Sequence, residues 1–385
     1  MPEPEVVIAG CGAISAIGGG VEALRTALQN NASGLRPVGK FNSSRFQSHI
    51  AGPALPNESG ESDDPAWQLA TRALDEARTA AQKILTKIPA TRTGLVLSTT
   101  KANIEALERV ADGRPCSTVA RRHLRSDLLA ADLAAAYGAS GPVQTVSVAC
   151  VSGLVAIRQG TQLIQRGEAD AVLVAGVDCL SEFVVAGFTA LKALDPAGCR
   201  PFDASRRGLS PGEAGAAIVL VRGDLAESPA ITIRGFGGSN DANHLTGPSR
   251  DGSGLAQAIR AALKAAALSP EQIDYVHAHG TGTAYNDAME SLALRAVFGG
   301  ACPPVSASKG MLGHTLGAAG VIETICCVLA MQGNFLPGTP RLNVAAEGAP
   351  ASLVREPRAG VRLQQVLKLN TGFGGMNGAL ILQNA

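Results

Sequence analysis

The stretch Val143-Gln-Thr-Val-Ser-Val-Ala-Cys-Val-Ser-Gly153 decides how this chain is read. Val143–Val148 is a short β-branched run that reads as a strand, and the periodic apolar run Val151–Gln165 reads as a helix. No polar loop separates them. A strand that feeds a helix directly is the unit of an α/β fold. The joint between the two elements is Cys150.

Working outward, the same order recurs. Strands are predicted at Val6–Ala9, Gly94–Leu97, Val143–Val148, Ala171–Ala175 and Ala217–Val221, with helices at Val21–Gln29, Ser126–Ala136 and Val151–Gln165. After Asp224 come strands Ile231–Arg234, Tyr275–Ala278, Val305–Ala307, Val366–Asn370 and Ala379–Leu382, with helices Gly254–Ala267, Ala288–Val297 and His314–Met331. Each half reads βαβαβαββ. The expected organisation is an internal duplication, residues 1–224 and 225–385, with helix layers around two sheets. The short Val/Ile/Leu-rich runs suit parallel strands. Asn57–Pro65 interrupts as a polar loop, and Cys179–Glu213 as a long excursion of the kind that usually carries function.

Composition narrows the function. The chain has 385 residues, 46% of them hydrophobic and only 3% aromatic, which argues against base-stacking nucleic-acid modules. Lys+Arg and Asp+Glu number 33 and 32, so no net field exists to hold a polyanion. No run of about 18 apolar residues is evident, so no membrane span is expected. The acidic start Met1-Pro-Glu-Pro-Glu5 is unlike a signal peptide and points to the cytoplasm. Eight cysteines without a Cys-x-x-Cys pair suit reduced thiols, neither a zinc site nor a disulfide framework.

Candidate chemistry collects at strand ends. Cys150 stands at a helix N-terminus, where the helix dipole favours a thiolate and lowers the thiol pKa. Gly153 would let that helix pack closely. His279 follows a strand before Gly-Thr-Gly-Thr283. His277 reads as a satisfied core residue; a His-x-His metal site lacks a third ligand, so no metal is expected. His314 opens a predicted helix whose dipole keeps it neutral and able to donate from Nε2. Lys309 and Glu323 flank it, a surface ion pair being the plain alternative. Asn370-Thr-Gly-Phe-Gly-Gly-Met-Asn377 is a turn whose backbone N–H groups can hold an oxyanion. Gly10-Cys-Gly12 reads as a tight strand-to-helix turn rather than a dinucleotide site.

Together these residues resemble the β-ketoacyl-[acyl-carrier-protein] synthases, elongating ketosynthases of the Cys-His-His type with the thiolase-like fold. The matching motifs are Val148-Ala-Cys-Val-Ser-Gly153, Arg200-Pro-Phe-Asp203, Asp241-Ala-Asn-His244, His279-Gly-Thr-Gly-Thr283, Lys309-Gly-Met-Leu-Gly-His-Thr-Leu-Gly-Ala-Ala-Gly320 and Gly372-Phe-Gly-Gly375. The resemblance spans nearly the whole chain. It implies a five-layered α-β-α-β-α fold of two βαβαβαββ halves and a dimer. It implies decarboxylative condensation of a Cys150-bound acyl group with malonyl-acyl-carrier protein, in fatty-acid or polyketide synthesis. No cofactor is implied beyond the phosphopantetheine arm of the carrier.

The implied roles are these. Cys150 is the nucleophile, and its N–H with that of Phe373 forms the oxyanion hole. His279 and His314 hold the malonyl thioester oxygen, and Lys309 with Glu323 tunes them. Thr281 and Thr283 hold pantetheine, Phe373 gates, and Leu209 lines the acyl pocket where a Phe is frequent. Val151 and Thr371 also depart from the usual pattern. The run His279–Asp287 is similar to polyketide- and aryl-polyene-type ketosynthases. Arg121, Arg122 and Arg125 form a basic cluster on one predicted helical face and are candidates for docking the acidic carrier. The partner is a second copy, a related ketosynthase or a chain-length factor. Two alternatives are a chain-length-setting partner in a ketosynthase heterodimer and a thiolase-fold enzyme using coenzyme A thioesters.

Overall fold

Ten strands frame the molecule: β1 (Val6–Ser15), β2 (Thr93–Ser98), β3 (Val143–Val146), β4 (Ala171–Asp178), β5 (Ala214–Arg222), β6 (Ile231–Asn240), β7 (Tyr275–His277), β8 (Val305–Ser306), β9 (Gln365–Gly372) and β10 (Met376–Gln383). The computed structural model describes residues 3–55, 63–226 and 231–384, so positions 57–62 of the predicted polar loop lie outside the described residues. The hydrogen-bonded order is β8-β7-β9-β10-β6-β1-β5-β4-β2-β3, with Gly18–Gly19 added beside β1. From the middle outward, both halves run first, fifth, fourth, second, third. The halves meet where β1 and β6 pair antiparallel, Val7 opposite Thr232 and Ile8 opposite Ile231. They thus form one continuous ladder rather than two separate sheets.

The ladder is mixed, not parallel as the short apolar runs predicted. β4, β2 and β3 are parallel, as are β9, β7 and β8. The first and fifth strands of each half run antiparallel to their neighbours. Helices covering both faces bury all strands alike, so apolar runs do not report direction.

The principal helices are α1 (Val21–Gln29), α2 (Pro65–Ala80), α3 (Ser126–Ala136), α4 (Ser152–Gln165), α5 (Glu182–Ala190), α6 (Ser253–Ala266), α7 (Ala284–Phe298) and α8 (Ala319–Gly333), with shorter ones between them. Side-chain alternation along the strands separates three cores. Leu173 and Val219 face outward onto α2 and α3. Leu367, Leu369 and Ile381 face α6 and α7 on the far side. Val174, Ile218, Leu220, Leu380 and Leu382 face inward onto α1, α4 and α8. The result is the α-β-α-β-α layering.

The helix that covers β1, as α6 covers β6, is α2, which the sequence reading did not include. Gly10 and Gly12 lie within β1 rather than in a turn, because α2 passes over them: a Cβ on Gly12 would sit 2.0 Å from the Ala73 carbonyl oxygen. Gly237 on β6 meets Ala258 of α6 at the same 2.0 Å. Leu316–Gly333 is, by length and composition, apolar enough to cross a membrane; 89% of it is buried between the halves, as in a core helix.

Candidate active site

Cys150 sits on an elbow. β3 ends at Val146, and Ala149 takes φ 45°, a left-handed conformation uncommon for a residue with a Cβ. Ser152 braces the bend, its Oγ accepting from Val148 N–H at 2.7 Å and donating to the Ala149 carbonyl at 2.6 Å. α4 begins at Ser152, so the thiol does lie at a helix N-terminus. Gly153 lets α4 cross α8 closely: a Cβ there would lie 2.6 Å from Val321 N.

Both histidines reach this elbow from the second half. The Cys150 Sγ and one ring nitrogen each of His279 and His314 lie within 4.8 Å of one another. His314 Nε2 is 3.0 Å from Sγ. Its Nδ1 accepts the Leu316 N–H at 3.2 Å, which leaves the proton on Nε2. His279 Nδ1 faces two donors, Lys309 Nζ and Asn370 Nδ2, both at 3.0 Å. His279 therefore also carries its proton on Nε2. Two Nε2–H groups beside one sulfur make a hydrogen-bond-donating site.

His314 does not open a helix, as its sequence position suggested. Short helix Lys309–Leu312 precedes it, and α8 begins only at Ala319. His314 is held neutral instead by burial and then by the charge of Lys309, which together push its pKa well below the ordinary value. Burial and Lys309 do the same to His279. The thiol expectation also reverses. Burial pushes Cys150 up to about 11, against the pull of Lys309 and Lys101, because desolvation of the anion outweighs the nearby cations.

Lys309 and Glu323 are no surface pair. Lys309 is fully buried, its Nζ 2.5 Å from Glu323 Oε1 and 2.7 Å from the His279 carbonyl. Glu323 Oε2 also meets Lys368 Nζ at 2.9 Å and Asn370 Nδ2 at 3.0 Å. Burial pushes Glu323 up, but the two ammoniums prevail and hold it below the usual carboxylate range. Sequence reasoning missed Lys368, which looks like the solvent-facing residue of a half-buried strand. It also missed Glu290 of α7. This carboxylate accepts the His279 and Gly280 N–H groups at 2.7 Å each and so fixes where His279 points. Its raised pKa, about 7, follows from burial and from neighbouring Asp287. His277 is buried with its Nδ1 3.1 Å from the Ala278 carbonyl, and burial together with the Lys368 charge pushes its pKa down to about 3.

A cavity of about 430 Å³ leads down to Cys150, His279 and His314. Thr281, Thr283, Leu209 and Phe373 all line it. The two threonine hydroxyls are 2.8 Å apart. Leu209 backs onto Ala51, Leu180, Val185 and Leu194, so its side of the cavity is filled. Phe373 is 37% exposed, and its ring lies 6.1 Å from that of Phe188. Among the described residues, the Phe373 N–H joins none of the loop hydrogen bonds, whereas the next N–H, of Gly374, is taken by the Leu245 carbonyl at 2.8 Å.

Arg121, Arg122 and Arg125 do not share one helical face. The first two end the short helix Thr118–Arg122, and Arg125 precedes α3. Arg122 is paired with Asp132 at 2.8 Å and Arg125 with Asp127 at 2.6 Å. None of the three lines the cavity, whose rim carries Lys192 and Arg207 instead.

Fold and site together define an acyl-transferring enzyme of the thiolase-like class. Residues 3–226 match the N-terminal domain of β-ketoacyl synthases and residues 230–343 the C-terminal domain. The chain belongs to the β-ketoacyl synthase family. It is 32% identical to the tetracenomycin polyketide synthase ketoacyl synthase alpha subunit of Streptomyces glaucescens, over 99% of this chain and 97% of that protein. It is 30% identical to the 3-oxoacyl-[acyl-carrier-protein] synthase 2 of Coxiella burnetii, over 99% of both. Among solved structures, the ishigamide ketosynthase/chain length factor superposes with a TM-score of 0.91 at 31% identity, covering 100% of both chains.

Proposed function

We propose that this chain catalyses decarboxylative Claisen condensation between a Cys150-bound acyl group and malonyl-acyl-carrier protein. The observation that carries the reading is the pair of Nε2–H groups on His279 and His314, both facing the Cys150 sulfur at the end of one cavity. Labour divides between residues 1–224, which bring the nucleophile, and 225–385, which bring the histidines and their charges.

In the first half-reaction the Cys150 sulfur attacks a carrier-bound thioester. The carrier's pantetheine sulfur leaves and takes up the proton that Cys150 gives up. Malonyl thioester then enters past Thr281 and Thr283, with Phe373 at the gate. Its carbonyl oxygen rests between the two Nε2–H donors. Carbon dioxide leaves, and the electron pair of the broken bond becomes an enolate whose oxygen those donors stabilise. The enolate carbon attacks the Cys150 thioester, and the resulting oxyanion meets the Cys150 and Phe373 N–H groups. The Cys150 sulfur departs and recovers a proton. Lys309 and Glu323 hold His279 neutral and oriented. No step calls for a cofactor beyond the carrier's phosphopantetheine arm.

The same reading makes an acyl carrier protein the partner, and a second copy, a related ketosynthase or a chain-length factor the dimer mate. It places the work in fatty-acid or polyketide synthesis in the cytoplasm. Carrier docking through Arg121, Arg122 and Arg125 is part of the proposal. Charge reversal of all three should weaken carrier affinity; unchanged affinity and turnover would refute that part.

Mass spectrometry of the intact protein after exposure to acyl-carrier substrate tests the core. An acyl adduct on the wild type and none on Cys150→Ala is expected, with malonyl decarboxylation lost in His314→Ala. A folded wild type that takes no acyl group from a verified substrate would sink the proposal.

A further inference from the structure

We propose that Asp178 is a positioning residue: it fills a second elbow in the place of a substrate oxyanion and thereby locks His314 with its proton on Nε2. The inference rests on the role given to His314 above.

The second elbow is Thr315-Leu-Gly-Ala-Ala-Gly320, ahead of α8. It repeats the Cys150 elbow position for position. Leu316 takes φ 53° where Ala149 takes 45°. Ala318 N–H bonds back to the Thr315 carbonyl at 3.0 Å, as Val151 N–H does to Val148 at 3.1 Å. Gly320 and Gly153 are each other's contact where α8 crosses α4. Gly317 thus stands where the nucleophile stands in the first half.

The two elbows differ in what meets the central N–H. At Cys150 no loop hydrogen bond takes that N–H among the described residues, and a Cβ on Gly372 at the end of β9 would lie 3.1 Å from its nitrogen. At Gly317 the N–H donates to Asp178 Oδ2 at 2.7 Å. Asp178 ends β4, the strand equivalent to β9. The carboxylate is 1% exposed and gathers further donors from the end of β2: Thr99 Oγ1 at 3.0 Å, Thr100 Oγ1 at 2.7 Å and the Thr100 and Lys101 N–H groups. Lys101 Nζ donates to the same Thr100 hydroxyl at 2.6 Å. An internal carboxylate therefore occupies an anion hole built like the catalytic one.

The consequence runs through one peptide. Asp178 pins the Gly317 N–H, which keeps Leu316 in its left-handed conformation. That conformation turns the Leu316 N–H onto His314 Nδ1 at 3.2 Å. With Nδ1 accepting, the proton must reside on Nε2, the nitrogen beside Cys150. Without Asp178 the Gly317 N–H loses its acceptor and Leu316 is free to relax. His314 can then carry its proton on Nδ1, where it cannot serve the thioester oxygen.

The test is the ¹⁵N-histidine spectrum, which distinguishes Nδ1–H from Nε2–H imidazole directly, combined with malonyl decarboxylation. In the wild type His314 should be Nε2–H. Asp178→Ala should show Nδ1–H or a mixture, with decarboxylation kcat lowered about tenfold or more and KM little changed. Asp178→Asn, which keeps one acceptor oxygen for Gly317, should recover part of both. A folded Asp178→Ala or, where alanine does not fold, Asp178→Leu, neither of which offers Gly317 an acceptor, whose His314 stays wholly Nε2–H overturns the inference. If the tautomer shifts but His314→Ala still decarboxylates malonyl-carrier, the mechanism above fails and the Asp178 assignment stands.

Discussion

The elbow before α4 and the elbow before α8 share a backbone and differ in contents. Both place a left-handed residue ahead of a helix and a glycine at the helix crossing. One carries the Cys150 thiol, with no hydrogen bond to its central N–H among the described residues; the other carries Gly317 and a resident carboxylate. The backbone of an anion hole is thus not enough to make a reactive centre. What decides is whether the hole is left empty for substrate or filled from within, because a preorganised donor contributes to catalysis only where charge develops. The charges follow the same division. Glu323 lies six residues after Gly317 on α8; six residues after Cys150 on α4 stands Ala156. The shared packing therefore does not require the buried ions, which serve His279.

Removing that charge should have the largest effect on stability. Glu323→Ala leaves Lys309 and Lys368 buried without a counter-ion, and urea denaturation should show a loss of about 3–5 kcal/mol. Ala156→Ser, its counterpart on α4, removes no charge and should cost far less; equal losses would end the distinction between the two helices. Next come the crossing glycines. A Cβ on Gly153 or Gly320 would lie within 2.6 Å or 2.4 Å of backbone nitrogen on the facing helix. Gly153→Ala and Gly320→Ala should each cost about 2 kcal/mol by the same measurement. A large loss at one and none at the other would break the equivalence of the elbows. The smallest effect is a matter of slope. With the Cys150 thiol pushed up to about 11 by burial, its thiolate fraction rises as pH rises toward that value. Alkylation by iodoacetamide should climb about tenfold per pH unit from neutral to pH ~9 without levelling. A plateau near neutrality would mean that the α4 N-terminus and His314 Nε2–H overcome desolvation.

Most of the candidate site was legible in the sequence. Cys150, His279, Lys309 and His314 follow strand ends, and a strand end beside a Gly-rich turn is readable from local pattern. Other features were not. Lys368 lies in the run Val366–Asn370 and alternates like a solvent-facing residue; only the second layer of helices makes that face interior. Glu290 and Asp178 look like ordinary acids of a helix and a strand end. α2 went unread although Asp64 caps it, accepting from Trp67 N–H at 3.1 Å, with Pro65 at its first position. The duplication itself had a signal that went unused: Gly10-x-Gly12 on β1 and Gly235-x-Gly237 on β6 are the same device under equivalent helices.

By itself the sequence determined the order of elements, their repetition and which residue types stand at the strand ends, because periodicity and side-chain chemistry are local properties. The tertiary structure alone decided that the Lys309–Glu323 pair is buried, that His279 carries its proton on Nε2, and that the thiol is raised rather than lowered. Each of these depends on what lies within a few ångströms across the chain. Cys150 and His314 are 164 positions apart in sequence and 3.0 Å apart in space. Desolvation and hydrogen-bond geometry act over the second distance, not the first.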